Sequence, residues 1–589
     1  MEHLQHLHSF PPPLPLLVVA TTILITTLLL FRKPRVLVDL WNSPPNFFLL
    51  ITIGPILLPS TVADILRRIL CHCTCRKQSV LLSPTDNELI SLPAHILAAK
   101  IRSGEITSVE LTQRCIERIQ KCNNQLNAVV CERFADALKD AAAADKSIAN
   151  QTVKPHQLLF GVPVVVKECF ELKGLPFTAG IRAREGLVGQ RDSTTMDRIR
   201  KDGLIIVGTT NISEGCMFHE SNNGVYGLTC NPWDTGRTPG GSSGGCASSV
   251  AAGFAPLAVT SDVGGSTRLP AFYQGLFGHK PTGGTVPNTG TVPHVDPDSL
   301  ISRYCQLGPT SRSSYDLFPL LKTLSGIDGI DKQMRNDVLL NDLPGSVNIN
   351  STFTVYNITE PFMPWFARCG LHPELRQAQV RMVETLRVQY GVHVINVDAT
   401  AELPEMREAF TIWAAMMQEA QDGVVFGDII ENNSCCSLFR HLFLEICTCS
   451  LRARKRHTIP AVGLALLDLA GRSLVSKDQN AELLEKGRKL KAALNKMLHN
   501  DRCCIICPSV LCPAPRHHEN LIRFLSTCQT SIFNVMELPA TAVPYVHLSK
   551  DGLPLGIQIV GGDRMDHVTI AVANALENAG VAGFPIQHV

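Results

Sequence analysis

The run Leu158-Leu-Phe-Gly-Val-Pro-Val-Val-Val166 is apolar from end to end and closes on a lysine, Lys167. A run of this kind reads as a buried strand. Shorter aliphatic runs recur at Leu204–Gly208, Leu257–Ser261 and Ile557–Val560, the last ahead of a helical pattern near Val568–Asn578. Strand-like runs that alternate with helical patterns predict an α/β architecture. Cys503-Cys-Ile-Ile-Cys507, just before Pro508, reads as one more buried strand. Thr107-Ser-Val-Glu110 is a capping box that opens a helix toward Cys122. The globular part is expected to start near Pro84. No internal repeat or long polar linker divides the 589-residue chain after Leu89, so one large domain over 84–589 is expected, behind a distinct region 1–83.

Lys167 stands where a charge is costly. A lysine at the end of a buried strand can lose its proton near neutral pH and serve as a base. Two serines sit in glycine frames: Ser242 in Gly240-Gly-Ser-Ser-Gly-Gly245, and Ser266 in Ser261-Asp-Val-Gly-Gly-Ser-Thr-Arg268. A serine hydroxyl is a weak nucleophile until a base reaches it. Together the three supply the parts of a Ser–Ser–Lys hydrolase site without histidine. Ser266 is the nucleophile in this reading. Glycines let the chain turn tightly after Leu257–Ser261 and aim consecutive N–H groups at one point. Those of Val263, Gly264, Gly265 and Ser266 would form an oxyanion hole. Ser242 would shuttle the proton from Ser266 to neutral Lys167 and later deliver it to the leaving amine, which departs poorly otherwise. Ser243 supports the site by hydrogen bonding, and Asp262 and Arg268 pair to hold the loop. Each feature also has a plainer reading: a lysine reaching water through its stem, an ordinary glycine turn, a flexible Gly/Ser linker. Against the linker, Cys246-Ala-Ser-Ser-Val-Ala-Ala252 follows at once and reads as a tightly packed small-residue helix.

From about Leu89 onward the chain resembles the amidase signature family. The resemblance rests on Lys167, Gly208-Thr-Thr-Asn-Ile-Ser-Glu214, the two serine blocks, Gly278-His-Lys-Pro281 and Gly552-Leu-Pro-Leu-Gly-Ile-Gln558, in order and spacing. Ile459-Pro-Ala-Val-Gly-Leu-Ala-Leu-Leu467 and Pro513-Ala-Pro-Arg-His-His518 are similar to the second type of fatty-acid amide hydrolase within it. The resemblance implies a mixed, twisted sheet of about eleven strands with helices on both faces. It implies a cis peptide at Gly241–Ser242. It implies hydrolysis of lipid amides, such as fatty-acid primary amides and N-acylethanolamines, to fatty acid and amine, through an acyl-enzyme on Ser266 and with no metal or organic cofactor. Thr267 and Gln274 depart from the family pattern beside the nucleophile.

Other classes are weighed on the same residues. A net charge of +2 and the lack of a basic stripe interleaved with aromatics give no nucleic-acid partner. The 21 cysteines are scattered and odd in number, unlike a small secreted disulfide framework. Cys71-His-Cys-Thr-Cys75 lacks a second ligand pair for zinc and, next to Arg76 and Lys77, suits S-acylation. Gly240–Gly244 also matches a nucleophile elbow, but no strand precedes it. The further rivals are an amidase of another small amide and an inert membrane-tethered lipid binder. Leu14–Phe31 is an uncharged stretch of 18 residues followed by Arg32, Lys33 and Arg35, long enough to span a bilayer. Leu40–Ala63 is a second uncharged stretch, weakened as a span by four prolines. The basic flanks favour one span, an endomembrane anchor and a cytosolic catalytic domain. Leu438–Ile446 beside Arg452, Arg454, Lys455 and Arg456 suits a membrane surface. The partners expected are thus a lipid amide and a membrane, with monomer or homodimer left open.

Overall fold

In the computed structural model 11 strands join into one mixed sheet; residues 80–82, 88–337, 340, 343–363, 370–420, 457–521, 523 and 528–585 are described. In chain order the strands are β1 (Val129–Glu132), β2 (Pro163–Lys167), β3 (Ile205–Thr210), β4 (Asn222–Asn223), β5 (Gly227–Leu228), β6 (Leu257–Asp262), β7 (Phe277–Lys280), β8 (Gln306–Ser311), β9 (Thr354–Asn357), β10 (His393–Asn396), β11 (Cys503–Cys507), β12 (Ala540–Pro544) and β13 (Gly556–Val560). The sheet runs β1-β3-β2-β6-β8-β7-β12-β13-β11-β9-β10, while β4 and β5 form a separate hairpin. The strands expected at 204–208, 257–261, 503–507 and 557–560 appear within a few residues of their expected ends, whereas the one expected at 158–166 begins only at Pro163, because 158–161 form a turn.

Why β2 lies inside is visible in its alternation. Val164 and Val166 enter one core with Leu257, Val259 and Ile206. Val165 enters the opposite core with Ala258, Ile205 and Val207. Successive strand side chains point to opposite faces, so an unbroken apolar run needs cover on both. On the first face it packs against Leu97 and Ile101 of helix Ala94–Ser103 and Met196 and Ile199 of helix Thr194–Lys201. On the second it meets Ile119 and Cys122 of helix Ser108–Leu126, and Ala137 and Ala141 of helix Phe134–Ala149. Each fully buried valine contributes about 1.5–3 kcal/mol to this packing. Thr107 caps its helix as expected, its side chain accepting from the Glu110 N–H at 2.9 Å.

The segments that carry the candidate residues meet because β3, β2 and β6 run parallel, with Val164 opposite both Ile206 and Leu257. Their C-terminal ends therefore open into one crevice, where ligands of open α/β sheets bind. β2 delivers Lys167 there and β6 delivers Asp262. Cores on both faces thus cover the sheet, as the resemblance implied.

The membrane stretches Leu14–Phe31 and Leu40–Ala63, the Cys71–Cys75 cluster, and the apolar and basic run within 438–456 lie outside the described residues. Among the described residues no helix is long and apolar enough to cross a membrane.

Candidate active site

Lys167 is fully buried, and its Nζ donates to Ser242 Oγ at 2.6 Å and to Ser261 Oγ at 2.8 Å. Ser261 belongs to β6, one residue before Asp262, so two adjacent parallel strands and the Gly/Ser segment converge on one ammonium group. Ser242 follows a cis Gly241–Ser242 peptide. A side chain at Gly241 would start 2.5 Å from the Glu220 nitrogen and 2.6 Å from the Phe218 carbonyl, so only glycine fits against that backbone. Ser221 Oγ donates to the Ser242 carbonyl at 3.0 Å. The helix Gly244–Ala251 starts at once and is buried almost throughout, as its small residues imply.

Ser266 reaches this group through its backbone: the Ser243 N–H donates to the Ser266 carbonyl at 3.3 Å. Ser243 Oγ donates to the Ser261 carbonyl at 3.4 Å. Among the described residues the Ser266 hydroxyl makes no hydrogen bond to Ser242. Both serines line one cavity of about 300 Å³, together with Val263 and Gly264.

The loop after β6 is fixed by its carbonyls. Asn534 Nδ2 donates to the Asp262 carbonyl at 2.9 Å, Trp413 Nε1 to that of Val263 at 3.0 Å, and Thr530 Oγ1 to that of Gly264 at 2.8 Å. The Leu269 N–H takes the Gly265 carbonyl at 2.7 Å. In a trans peptide the next N–H points the opposite way, so the amides of Val263, Gly264 and Ser266 turn away from these anchors. The Gly265 N–H is engaged elsewhere, donating to Asp262 Oδ1 at 2.7 Å. Gly265 has φ +118°, and an added Cβ would meet Thr530 Oγ1 at 2.3 Å.

Asp262 and Arg268 form a two-pronged, wholly buried pair, Nε to Oδ2 and Nη2 to Oδ1, each at 3.0 Å. Burial alone would raise the Asp262 carboxyl, but the Arg268 guanidinium and the Asn534 amide hold it well below the usual range. Arg268 also donates to Asn534 Oδ1 at 2.7 Å and Gln558 Oε1 at 3.2 Å. Thr267, one of the departures, spends its hydroxyl on Thr260 at 2.7 Å. Gln274, the other, is buried with neither side-chain atom hydrogen-bonded.

A family model described as Amidase matches residues 110–570. The chain belongs to the amidase signature family. It is accordingly an amide hydrolase. Over 513 residues it is 35% identical to fatty-acid amide hydrolase 2-A of Danio rerio, covering 85% of this chain and 90% of that one. It is 34% identical to fatty-acid amide hydrolase 2 of Homo sapiens, covering 84% and 90%. A solved fatty acid amide hydrolase superposes with a TM-score of 0.65 at 21% identity, covering 85% of this chain and 86% of that one.

In this amidase the charge on Lys167 runs against the sequence expectation. Burial does act to lower its pKa, but the facing thiols, Cys216 foremost and then Cys169, Cys246 and Cys305, raise it above the ordinary lysine value. A hydrogen bond from Cys169 lowers the Cys216 thiol to about 6, against burial and with help from Lys167. Sequence reading missed Cys216 because nothing in Ser213–Met217 announces it. Ser261 was legible in principle, since it ends the strand before Asp262. Trp413, Thr530 and Asn534 lie far along the chain and gave no signal. The elbow rival finds no strand before Gly240, and His279 is occupied by Thr541 at 2.8 Å and Asp566 at 3.1 Å. The His517–His518 pair instead grips Glu220 behind Gly241, at 2.8 Å from His517 Nδ1.

Proposed function

We propose that the chain hydrolyses fatty-acid amides, namely fatty-acid primary amides and N-acylethanolamines, to free fatty acid and amine. Ser266 attacks the carbonyl and carries the acyl-enzyme. Ser242 relays the proton to Lys167 and returns it to the leaving amine. The amides of Val263, Gly264 and Ser266 stabilise the oxyanion, while that of Gly265 braces the loop on Asp262. The observation that carries this reading is the buried 2.6 Å contact of Lys167 with Ser242, beside the cavity Ser266 lines. The lipid substrate is supported by the walls of that cavity, which include Phe410, Trp413, Met417, Ile459 and Leu464, and by the names of the relatives. Residues 84–589 act as one catalytic domain, and 1–83 anchor it to an endomembrane by one span, with the domain cytosolic.

A panel of amides graded by acyl length, assayed with purified protein, tests this. Each buried methylene contributes about 0.8 kcal/mol, so kcat/KM climbs steeply from acetyl to oleoyl amides; equal values sink the lipid assignment. Ser266→Ala abolishes turnover and fluorophosphonate labelling, and persistent labelling of the same peptide removes Ser266 as nucleophile. Lys167→Ala and Ser242→Ala cut turnover by several orders of magnitude in folded protein. Lys167 is a base only when neutral, and its raised pKa means that form accumulates on the alkaline side. The rate therefore rises with pH above neutrality; a flat profile there excludes Lys167 as base.

A further inference from the structure

Cys169 and Cys216 are both walls of the cavity that Ser242 and Ser266 line. Cys169 follows β2 by two residues, and its Sγ lies 4.0 Å from Ser261 Oγ, the second acceptor of Lys167. Cys216 Sγ donates to the Val292 carbonyl at 3.9 Å, and the Val292 N–H donates to the Cys169 carbonyl at 2.9 Å. One residue, Val292, thus ties the two cysteines together at the wall of this cavity. Cys216 also faces Lys167 and Ser242. It is partly exposed, whereas Cys169 is buried behind it.

The two thiols differ in kind. Cys216 is lowered to about 6 by Cys169 first and, against burial, by the Lys167 cation, so the proton its thiol gives the Val292 carbonyl is readily lost near neutral pH. Burial pushes Cys169 well above its ordinary value, and pushes Cys115, Cys246, Cys305 and Cys507 up to about 12. An accessible low-pKa thiolate next to a second thiol is the arrangement of an oxidisable pair.

We propose that Cys216 and Cys169 are a reversible oxidation site within this cavity, taking a hydroperoxide on an apolar chain as oxidant and tuning the hydrolysis through Lys167. The Cys216 thiolate attacks the outer peroxide oxygen. The O–O bond breaks, an S–O bond forms, and with one proton the hydroperoxide leaves as an alcohol. The Cys169 thiol then attacks the Cys216 sulfenic acid; the S–S bond forms and water departs. The pair loses two electrons and the hydroperoxide gains them. The apolar walls favour a lipid hydroperoxide over hydrogen peroxide. The disulfide carries no charge. It therefore removes the anion that faces Lys167, leaving burial and the neutral thiols Cys246 and Cys305. Lys167 then loses its proton at lower pH. This last step rests on the catalytic role given to Lys167 above; the oxidation itself does not.

The test treats the full-length protein with linoleic acid hydroperoxide, with hydrogen peroxide and with neither, and maps disulfides by peptide mass before and after dithiothreitol. The expected result is a Cys169–Cys216 linked peptide, formed at lower doses of the lipid hydroperoxide and lost on reduction. Cys169→Ser stops at a dimedone-trapped sulfenic acid on Cys216, and Cys216→Ser forms neither. A reduced Cys216 after treatment overturns the site, as does oxidation spread equally over Cys246 and Cys305. The pH–rate profile of oleamide hydrolysis moves toward lower pH on oxidation, raising the rate at about pH 7 several-fold. Cys216→Ser shows the same displacement without oxidant. A mapped disulfide with an unmoved profile in both cases overturns the coupling to Lys167. If no state of the protein hydrolyses any amide, the catalytic reading fails and the peptide map alone decides the oxidation site.

Discussion

Glu168, next to Lys167 in β2's exit, shows burial outweighing hydrogen bonds in setting the behaviour of a residue. Its Oε1 accepts from the Thr178 N–H at 2.8 Å, from Thr178 Oγ1 at 3.0 Å and from the Tyr226 hydroxyl at 2.9 Å. Burial nevertheless raises the carboxyl to about 7. A carboxyl raised on folding adds stability that is complete below its unfolded value and is lost as pH climbs through the folded one. Glu168 therefore costs the fold about 3 kcal/mol between roughly pH 4.5 and pH 7, by linkage. Glu168→Gln keeps the acceptor and abolishes that slope, which urea midpoints at about pH 5 and about pH 8 will show; parallel pH dependence in variant and parent contradicts it. Gln274 is the converse case, a buried amide with nothing to bond. A buried unsatisfied group costs about 1–3 kcal/mol, so Gln274→Met, of similar size, raises the urea midpoint. A fall in that midpoint means the amide has a partner. Neither effect was legible in the sequence: it marked Gln274 as a departure, and only packing shows that no protein group meets its amide. Lys167 teaches the same lesson, since its burial was readable from Leu158–Val166 but Cys216, the sulfur that acts most to hold its proton, comes from a segment apart from it.

At the scale of the element, the loop from Asp262 to Ser266 is held more than it holds. Asp262 accepts from Gly265, Thr267, Arg268 and Asn534, so it organises the turn from within. Removing one partner of a buried ion pair costs about 3–5 kcal/mol, because the survivor stays charged and unpaired. Arg268→Met is predicted to lose that much, read from denaturant midpoints, while Asp262→Asn with Arg268→Met loses less than the two single losses summed. Strict additivity denies the coupling. The strands were readable because unbroken apolar runs admit few alternatives, and the helix Gly244–Ala251 because its residues are too small to be anything but packed. The loop's Gly-Gly pair was readable as a turn. Its orientation was not, since Trp413, Thr530 and Asn534 set it from other elements.

For the molecule as a whole, the proposed cytosolic placement can be tested with reporters that the chain itself carries. Asn150 and Asn350 begin acceptor triplets and are exposed, whereas Asn357 is buried in β9 and bonded to Asn396 at 2.8 Å. A cytosolic domain leaves all of them bare, so endoglycosidase treatment of protein from cells gives no mobility shift. A shift mapped to Asn150 or Asn350 puts the domain in the lumen. Order, spacing and the alternation of strands and helices made the sheet legible from one sequence; the apolar stretches Leu14–Phe31 and Leu40–Ala63, read as candidate spans, lie outside the described residues. One feature of the sheet also bears on when the protein becomes competent. Lys167, Ser242 and Ser266 all leave the ribosome in the first half of synthesis, but Trp413, Thr530, Asn534 and Gln558 follow much later. A nascent chain paused before residue 413, or a proteolytic fragment of that length, holds the three proposed reactive residues and lacks the braces that shape the loop. On the proposed mechanism such a chain is expected to be inert, so a fragment ending before residue 413 shows no amide hydrolysis; turnover by it contradicts the need for these braces.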